Sequence, residues 1–429
     1  MPRRNLLVLF IVCLLSLVCY LRVDRNGRIL GYAMEQIHKR ALEEVDEQEL
    51  LQGAMEGMIS RLDENSAYIS PDQIKEFQRM LDQKFGGVGM EVMLDPKTKQ
   101  LLVMSPLVGT PAYEAGIRAG DKILQIDGKS TQGMSLADGV KLMHGEPGES
   151  VELTIQHSGE EKPVTITVVR AIIQVDTVLG DTRNPDGSWN YFLEGHDRIG
   201  YLRINNFGER TGEEMAEALD WLEEHDMRAL ILDLRNDPGG ILIAATQVCD
   251  LFLDEGVIVT TRDREGRIIQ AFEANGKKAH TGFPMAVLVN QYSASASEIV
   301  AACLQDYQRA KVIGQRTYGK GTIQEILDLD GGRGVLKLTT ASYWRPSGKN
   351  IHRAAGAGED DDWGVTPDKG YEVIVEGEEL GKWLRARHRR DLVPRPEHEA
   401  EEDAESYTDP QLQKAVEYLE QELKSGPSK

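Results

Sequence analysis

The sequence predicts a layered α/β protein that carries an inserted β-rich domain and has helical segments at both ends. Three observations predict it. Beyond residue 171, apolar runs such as IGYLRINNF and RALILDLRND alternate with amphipathic stretches such as TGEEMAEALDWLEEH, the strand–helix–strand rhythm of a layered core. From Phe85 the pattern changes to short alternating strands separated by glycine turns, as in GGVGMEVML, VELTIQ and VTITVVR. Outside these lie a polar-rich helical pattern over 32–84 and the amphipathic stretch DPQLQKAVEYLEQEL near the C-terminus. A chain of 429 residues, 41% of them apolar, is too long for one ordinary core. We divide it into 1–29, 30–84, 85–170, 171–375 and 376–429.

Taken in order, the chain starts MPRRN and continues into sixteen residues, Leu6 to Leu21, that are apolar except for Ser16. A basic start followed by such a run addresses a chain for export to the cell envelope. No small-x-small cleavage site follows clearly, so an uncleaved signal anchor and a cleaved signal peptide both fit, with the anchor, a membrane tether, favoured. Arg22, Arg25 and Arg28 beyond the run offset Arg3 and Arg4 before it, which leaves the orientation open. Over 32–84 the stripes Ala33, Ile37, Ala41 and Leu50, Ala54, Met58, Leu62 predict helices that pack on something else. The formal net charge of −21 repels phosphate backbones and argues against nucleic acid as a partner.

The segment 85–170 resembles a PDZ domain. The resemblance rests on Gly87-Val88-Gly89-Met90, on Ala115-Gly116-Ile117 followed by Gly120-Asp121 and Ile123, and on Ile126-Asp127-Gly128. In such a module the N–H groups of a glycine-containing turn hold a carboxylate while the next strand's open edge pairs with an incoming peptide. Val88, Met90 and Val92 predict apolar surface near that groove, hence an apolar C-terminal tail as guest.

From 171 to 375 the rhythm continues. LILDLRNDPGGILIAATQVCDLF reads as strand, turn over Asn236 to Gly240, then helix, and VLVNQYSASASEIVAACLQD as strand, serine-rich turn, then helix. Cys249 and Cys303 fall in helical patterns without metal-ligand spacing and read as small core residues, with a disulfide between them left open. Asp360, Asp361 and Asp362 read as a solvated loop rather than a metal site. Residues 397–405, EHEAEEDAE, read as a flexible acidic linker before the last helix.

The serine turn is where chemistry belongs. It lifts a side chain out of the sheet, and free N–H groups at the helix start can stabilise an oxyanion. Ser295 followed by Glu298 is equally a capping box that merely starts a helix, and the stretch alone does not separate the two. The nine histidines are scattered, and no Gly-x-Ser-x-Gly motif is present. Lys320, between Gly319 and Gly321, offers a base if its environment keeps it neutral, as in Ser-Lys variants of the serine triad.

The PDZ-like segment, SASASE, YGKGTIQ and LRNDPGG together resemble the carboxy-terminal processing, or tail-specific, proteases of the S41 serine peptidases. The match runs from about Tyr32 to Tyr371 and includes LDENSAYIS, YWRPSGKNI and GVTPD. The resemblance implies a crotonase/ClpP-like core, no cofactor and no metal. It makes Ser295 the nucleophile, Lys320 the base and Gln324 the residue that orients the lysine. The backbone N–H of Ala296 and of Gly239 or Gly240 would hold the oxyanion. It also implies unfolded or tagged protein substrates with apolar C-termini and is compatible with a homodimer, and it leaves open whether an adaptor or activator switches the enzyme on. One check bears on Gln324: in an extended strand it would lie about 13 Å from Lys320 at roughly 3.3 Å per residue, so their meeting requires a bend near Gly321. One departure concerns His144, which stands before Gly145 where relatives often have Arg. A non-catalytic PDZ scaffold and a crotonase-like acyl-CoA enzyme are the competing readings.

Overall fold

A computed structural model describes residues 25–74, 85–95, 98–196, 198–329, 332–358, 360–393 and 407–425. The apolar run Leu6–Leu21 and the acidic stretch 397–405 lie outside the described residues. Among the described residues no helix is long and apolar enough to cross a membrane.

The chain divides into two units. The first comprises residues 1–77 and 324–339. It contains the helices Arg25–Arg40 and Glu47–Ile59, neither of which buries a residue, so their apolar stripes stay largely uncovered. Asp46 caps the second helix by accepting from Gln48 N and Glu49 N. The short strand Ala67–Ile69 pairs antiparallel with Val335–Lys337.

The second unit, 78–323 with 340–429, holds the core that positions the chemistry. Its main sheet runs Val178–Leu179, Ile199–Ile204, Ala229–Asp233, Met285–Val289, Lys311–Gly314 in spatial order, and the last four strands are parallel. Alternation along each strand supplies two buried faces. Leu230, Leu232, Met285, Val287 and Val289 pack with the helices Thr211–Glu224, Leu242–Asp250 and Ala296–Asp306. Ile231, Ala286, Leu288 and Ile313 face the other way, onto Ala415, Val416 and Leu419 of the C-terminal helix Pro410–Ser425. Cys249 and Cys303 are buried on the first face as free thiols, not a disulfide.

The PDZ-like part of this unit is a sheet ordered Met90–Leu94, Leu101–Pro106, Lys122–Ile126, Ser150–Gln156, Val164–Val169. Met90–Leu94 is its edge and neighbours the helix Leu136–Met143. Val88, 3% exposed, belongs to the core of this sheet with Leu101, Val103 and Ala112; Met90 and Val92 are partly buried against it. The expectation that Val88 offers groove surface is therefore corrected. The end of the helix is held by Arg170, which the sequence reading passed over: its guanidinium donates to the Leu142 and Met143 carbonyls at 2.9 and 3.0 Å.

Candidate active site

Two strand ends of the main sheet feed the site. Ala229–Asp233 runs into the turn Asn236-Asp237-Pro238-Gly239-Gly240, and Met285–Val289 into the serine turn that opens the helix Ala296–Asp306. The turns are stitched together. Ser293 Oγ donates to the Leu234 carbonyl at 2.8 Å and Ser297 Oγ to the Asp237 carbonyl at 3.0 Å. Ala294 N donates to that same carbonyl at 3.0 Å. Asn290 Nδ2 donates to Asn236 Oδ1 at 2.7 Å, while Asn236 N donates to Asn290 Oδ1 at 3.0 Å. The outer serines thus bond backbone, which leaves Ser295 between them.

Ser295 has φ 56° and ψ −111°, a conformation that a non-glycine residue adopts at a cost of about 1–3 kcal/mol and that the surrounding bonds must impose. Gly239 fits against it. A Cβ at Gly239, whose φ is +94°, would stand 2.5 Å from Ala294 O, 2.8 Å from Ala296 N and 2.8 Å from Ser295 Cβ. Only glycine lets the two turns approach this closely.

The two glycines of the turn differ in what their amides do. Gly239 is buried and its N–H donates to Asp237 Oδ1 at 2.8 Å. Gly240 is exposed and bridges Phe207 in parallel fashion, with Phe207 N donating to Gly239 O and Phe207 O accepting from Ile241 N, so the Gly240 N–H points away from Phe207. Neither Gly240 N–H nor Ala296 N–H has an acceptor among the described residues. The Asp237 carboxyl is pushed well above the usual carboxylate range by burial, outweighing its bond from Gly239.

Lys320 lies in the loop before the strand Thr322–Asp328, and is partly buried. What brings this loop to Ser295 is Glu298, fully buried in the first turn of the helix. Its Oε2 accepts from Ser295 N and from Lys320 N at 2.8 Å each. Its Oε1 accepts from Gly319 N at 2.6 Å and Thr317 Oγ1 at 2.5 Å. Two nitrogens sharing one oxygen are no farther apart than twice their bond length, well inside the reach of a four-carbon lysine side chain. Burial raises the Glu298 carboxyl to about 7 in spite of these four donors. The capping-box reading of Ser295 and Glu298 was correct for Ser295 N but incomplete. The sequence gives no sign that the same carboxylate reaches a loop 22 residues on.

Gln324 belongs to the first unit, where its Nε2 donates to Thr339 Oγ1 at 3.1 Å, and Thr339 Oγ1 donates to Asp63 Oδ1 at 3.0 Å. The premise of one extended strand through both residues does not hold, since Lys320 precedes the strand that contains Gln324.

The family model for Peptidase family S41 matches residues 198–370, and that for the PDZ domain residues 102–157. The carboxy-terminal-processing protease of Bartonella bacilliformis is 36% identical over 376 residues, which is 84% of this chain and 81% of that protein. The carboxyl-terminal-processing protease of a Synechocystis species is 39% identical over 319 residues, 74% of this chain and 70% of that one. A solved structure of a photosystem II D1 C-terminal processing protease is 28% identical, covers 83% of this chain and 90% of its own, and superposes with a TM-score of 0.47. These matches make the protein a serine-type peptidase that carries a PDZ domain, and the chain belongs to the carboxy-terminal processing proteases of family S41.

Proposed function

We propose that Ser295 is the nucleophile, Lys320 its general base, and the amides of Ala296 and Gly240 the oxyanion donors. The observation that carries this reading is the single Glu298 oxygen shared by Ser295 N and Lys320 N. Gly240 is preferred to Gly239 because the Gly239 N–H is already given to Asp237. With Lys320 neutral, its Nζ takes the Ser295 Oγ proton as Oγ bonds the scissile carbonyl carbon. The carbonyl oxygen becomes an oxyanion to which the Ala296 and Gly240 amides would donate hydrogen bonds. Collapse breaks the C–N bond, and the lysine delivers the proton to the leaving amine. Water, deprotonated by the same lysine, then attacks the acyl carbon; the ester C–O bond breaks, the lysine returns the proton to Ser295 Oγ, and the acid is freed. Gln324 is given no step here, because its described bond goes to Thr339.

The substrate reading rests on the PDZ-like part. The loop Gly87-Val88-Gly89-Met90 lies before an edge strand, Met90–Leu94, beside the helix Leu136–Met143, the layout needed for a chain end whose carboxylate meets the loop while its backbone extends the sheet. Met90 and Val92, partly buried there, favour an apolar tail. The basic start and the run Leu6–Leu21 support export and a tether at the envelope. Exposed Ile29, Tyr32, Ile37 and Met58 on the first two helices support a second copy as their cover.

The test is cleavage of an unfolded protein followed by intact mass, with Ser295→Ala and Lys320→Ala as the comparison. Loss of cleavage in both, with folding retained, supports the dyad. Cleavage that survives Ser295→Ala removes it.

A further inference from the structure

The C-terminal helix Pro410–Ser425 packs on the face of the sheet opposite the helix that Ser295 opens, yet its first turn reaches both catalytic loops from behind. Asp409 divides its work between two oxygens. Oδ1 caps the helix, accepting from Gln411 N and Leu412 N at 3.0 and 3.1 Å. Oδ2 accepts from Arg235 Nη1 at 2.8 Å and from Trp383 Nε1 at 2.9 Å. Arg235 is buried, is paired with Asp233 at 2.6 Å, lies over the Trp383 ring, and directly precedes the Asn236–Gly240 turn.

Gln411, 2% exposed, ties in the second loop. Its Oε1 accepts from Arg235 Nη1 at 3.0 Å. Its Nε2 donates to Val373 O at 2.8 Å and lies 3.5 Å from Gln315 Oε1. Gln315 is itself fixed to the sheet by its N–H on Val289 O at 3.0 Å, and it opens the loop that carries Lys320. The strands leading to the oxyanion turn and to the lysine loop therefore end on one pair of side chains. Both Asp409 and Gln411 come from a segment that supplies nothing to the reaction itself.

We infer that Asp409 and Gln411 are positioning residues for catalysis: acting through Arg235 and Gln315, they set the oxyanion turn and the lysine loop at a fixed separation. The inference rests on the Ser295–Lys320 reading. A helix that served only stability would have no need of a buried, charge-assisted tie to Arg235 and a neutral one to Gln315, because burial of Ala415, Val416 and Leu419 already docks it. Misplacement of catalytic groups by even about 1 Å can cost about a hundredfold in rate.

Asp409→Asn separates the two functions of the residue. It keeps a capping oxygen for the helix but turns an amide donor toward Arg235 and Trp383. Gln411→Leu removes the second tie at similar volume. Leu419→Ala weakens docking of the helix without touching either tie. Full-length wild type and variants are compared for kcat and KM on an unfolded protein, for the rate of Ser295 modification by a fluorophosphonate, and for Tm. The expected result is a fall in kcat of about tenfold to a hundredfold in Asp409→Asn and Gln411→Leu, with KM unchanged and slower modification, at temperatures where both remain folded. Leu419→Ala should lower Tm and keep its kcat per folded molecule. Unchanged kcat in the first two, or losses that follow Tm across all three, would overturn the positioning role. Failure of wild-type Ser295 to react at all would instead overturn the catalytic reading on which this one rests.

Discussion

Replacing Glu298 by Gln tests the site's architecture at its most concentrated point. Its two oxygens accept four donors, among them Ser295 N and Lys320 N on Oε2 and Gly319 N on Oε1. An amide has one accepting oxygen, so two of these donors must face an N–H₂ group. Loss of two bonds to a charged acceptor costs about 1.5–3 kcal/mol each. Against this stands the burial of the charge, which outweighs all four bonds and holds the carboxyl up at about 7 instead of 4.5; the neutral amide does not incur it. The two largely offset, so stability should fall by no more than about 0–3 kcal/mol. The relation of Ser295 to the lysine loop has no such compensation, and kcat should fall by about a hundredfold or more. Cleavage of an unfolded protein by intact mass, with Tm measured alongside, reads both. A variant that keeps kcat within about twofold at full folding would refute the view that this carboxylate joins nucleophile and base.

The pH dependence follows from the same group. Because the folded carboxyl lies above its unfolded value, the folded state holds the extra proton between about 4.5 and 7, and the Glu298 contribution to stability declines as pH rises through that window. Activity should run the other way, rising as pH climbs through about 7, where the carboxylate gains full accepting capacity; a kcat profile flat there in wild type would contradict this. Gly239→Ala should abolish turnover without removing any side chain of the dyad, since the new Cβ meets Ala294 O at 2.5 Å and disturbs both oxyanion donors; fluorophosphonate labelling of Ser295 measures it. Gly89→Ala places a Cβ 2.3 Å from Thr110 Cβ at a φ of +78°, and should raise KM for tail-bearing substrates while leaving kcat on saturating substrate unchanged. Ser293→Ala strands the Asn290 N–H and leaves the Leu234 carbonyl only its 3.3 Å bond from Asp237 N, and should cost about 1–3 kcal/mol by chemical denaturation.

Much of this was legible in the sequence where local chemistry is decisive. The alternation of Ala229–Asp233 and Met285–Val289 with helical stripes announces a layered core, and a serine between such a strand and helix stands where free amides are available. Family resemblance then separated Ser295 from its neighbours, which composition and spacing did not. What stayed hidden depends on approach between distant segments. Glu298 reads as a cap because its second pair of partners comes from another loop, and Val88 reads as surface because glycine flanks conceal its burial. Arg235 and Asp409 lie 174 positions apart, and no local signal links an arginine just beyond a strand to the cap of a helix near the C-terminus. The choice of Gly240 over Gly239 likewise needs the Asp237 bond, which sequence does not display.

The central claim is that Ser295 and Lys320 cut chains presented by their C-terminal ends. The most direct measurement incubates full-length wild type, Ser295→Ala and Lys320→Ala with an unfolded protein whose apolar tail ends either in a free carboxylate or in the same tail capped as an amide, and follows intact mass. The account predicts cleavage by wild type alone, faster with the free carboxylate. Cleavage by Ser295→Ala, or equal rates for free and capped tails, would contradict it.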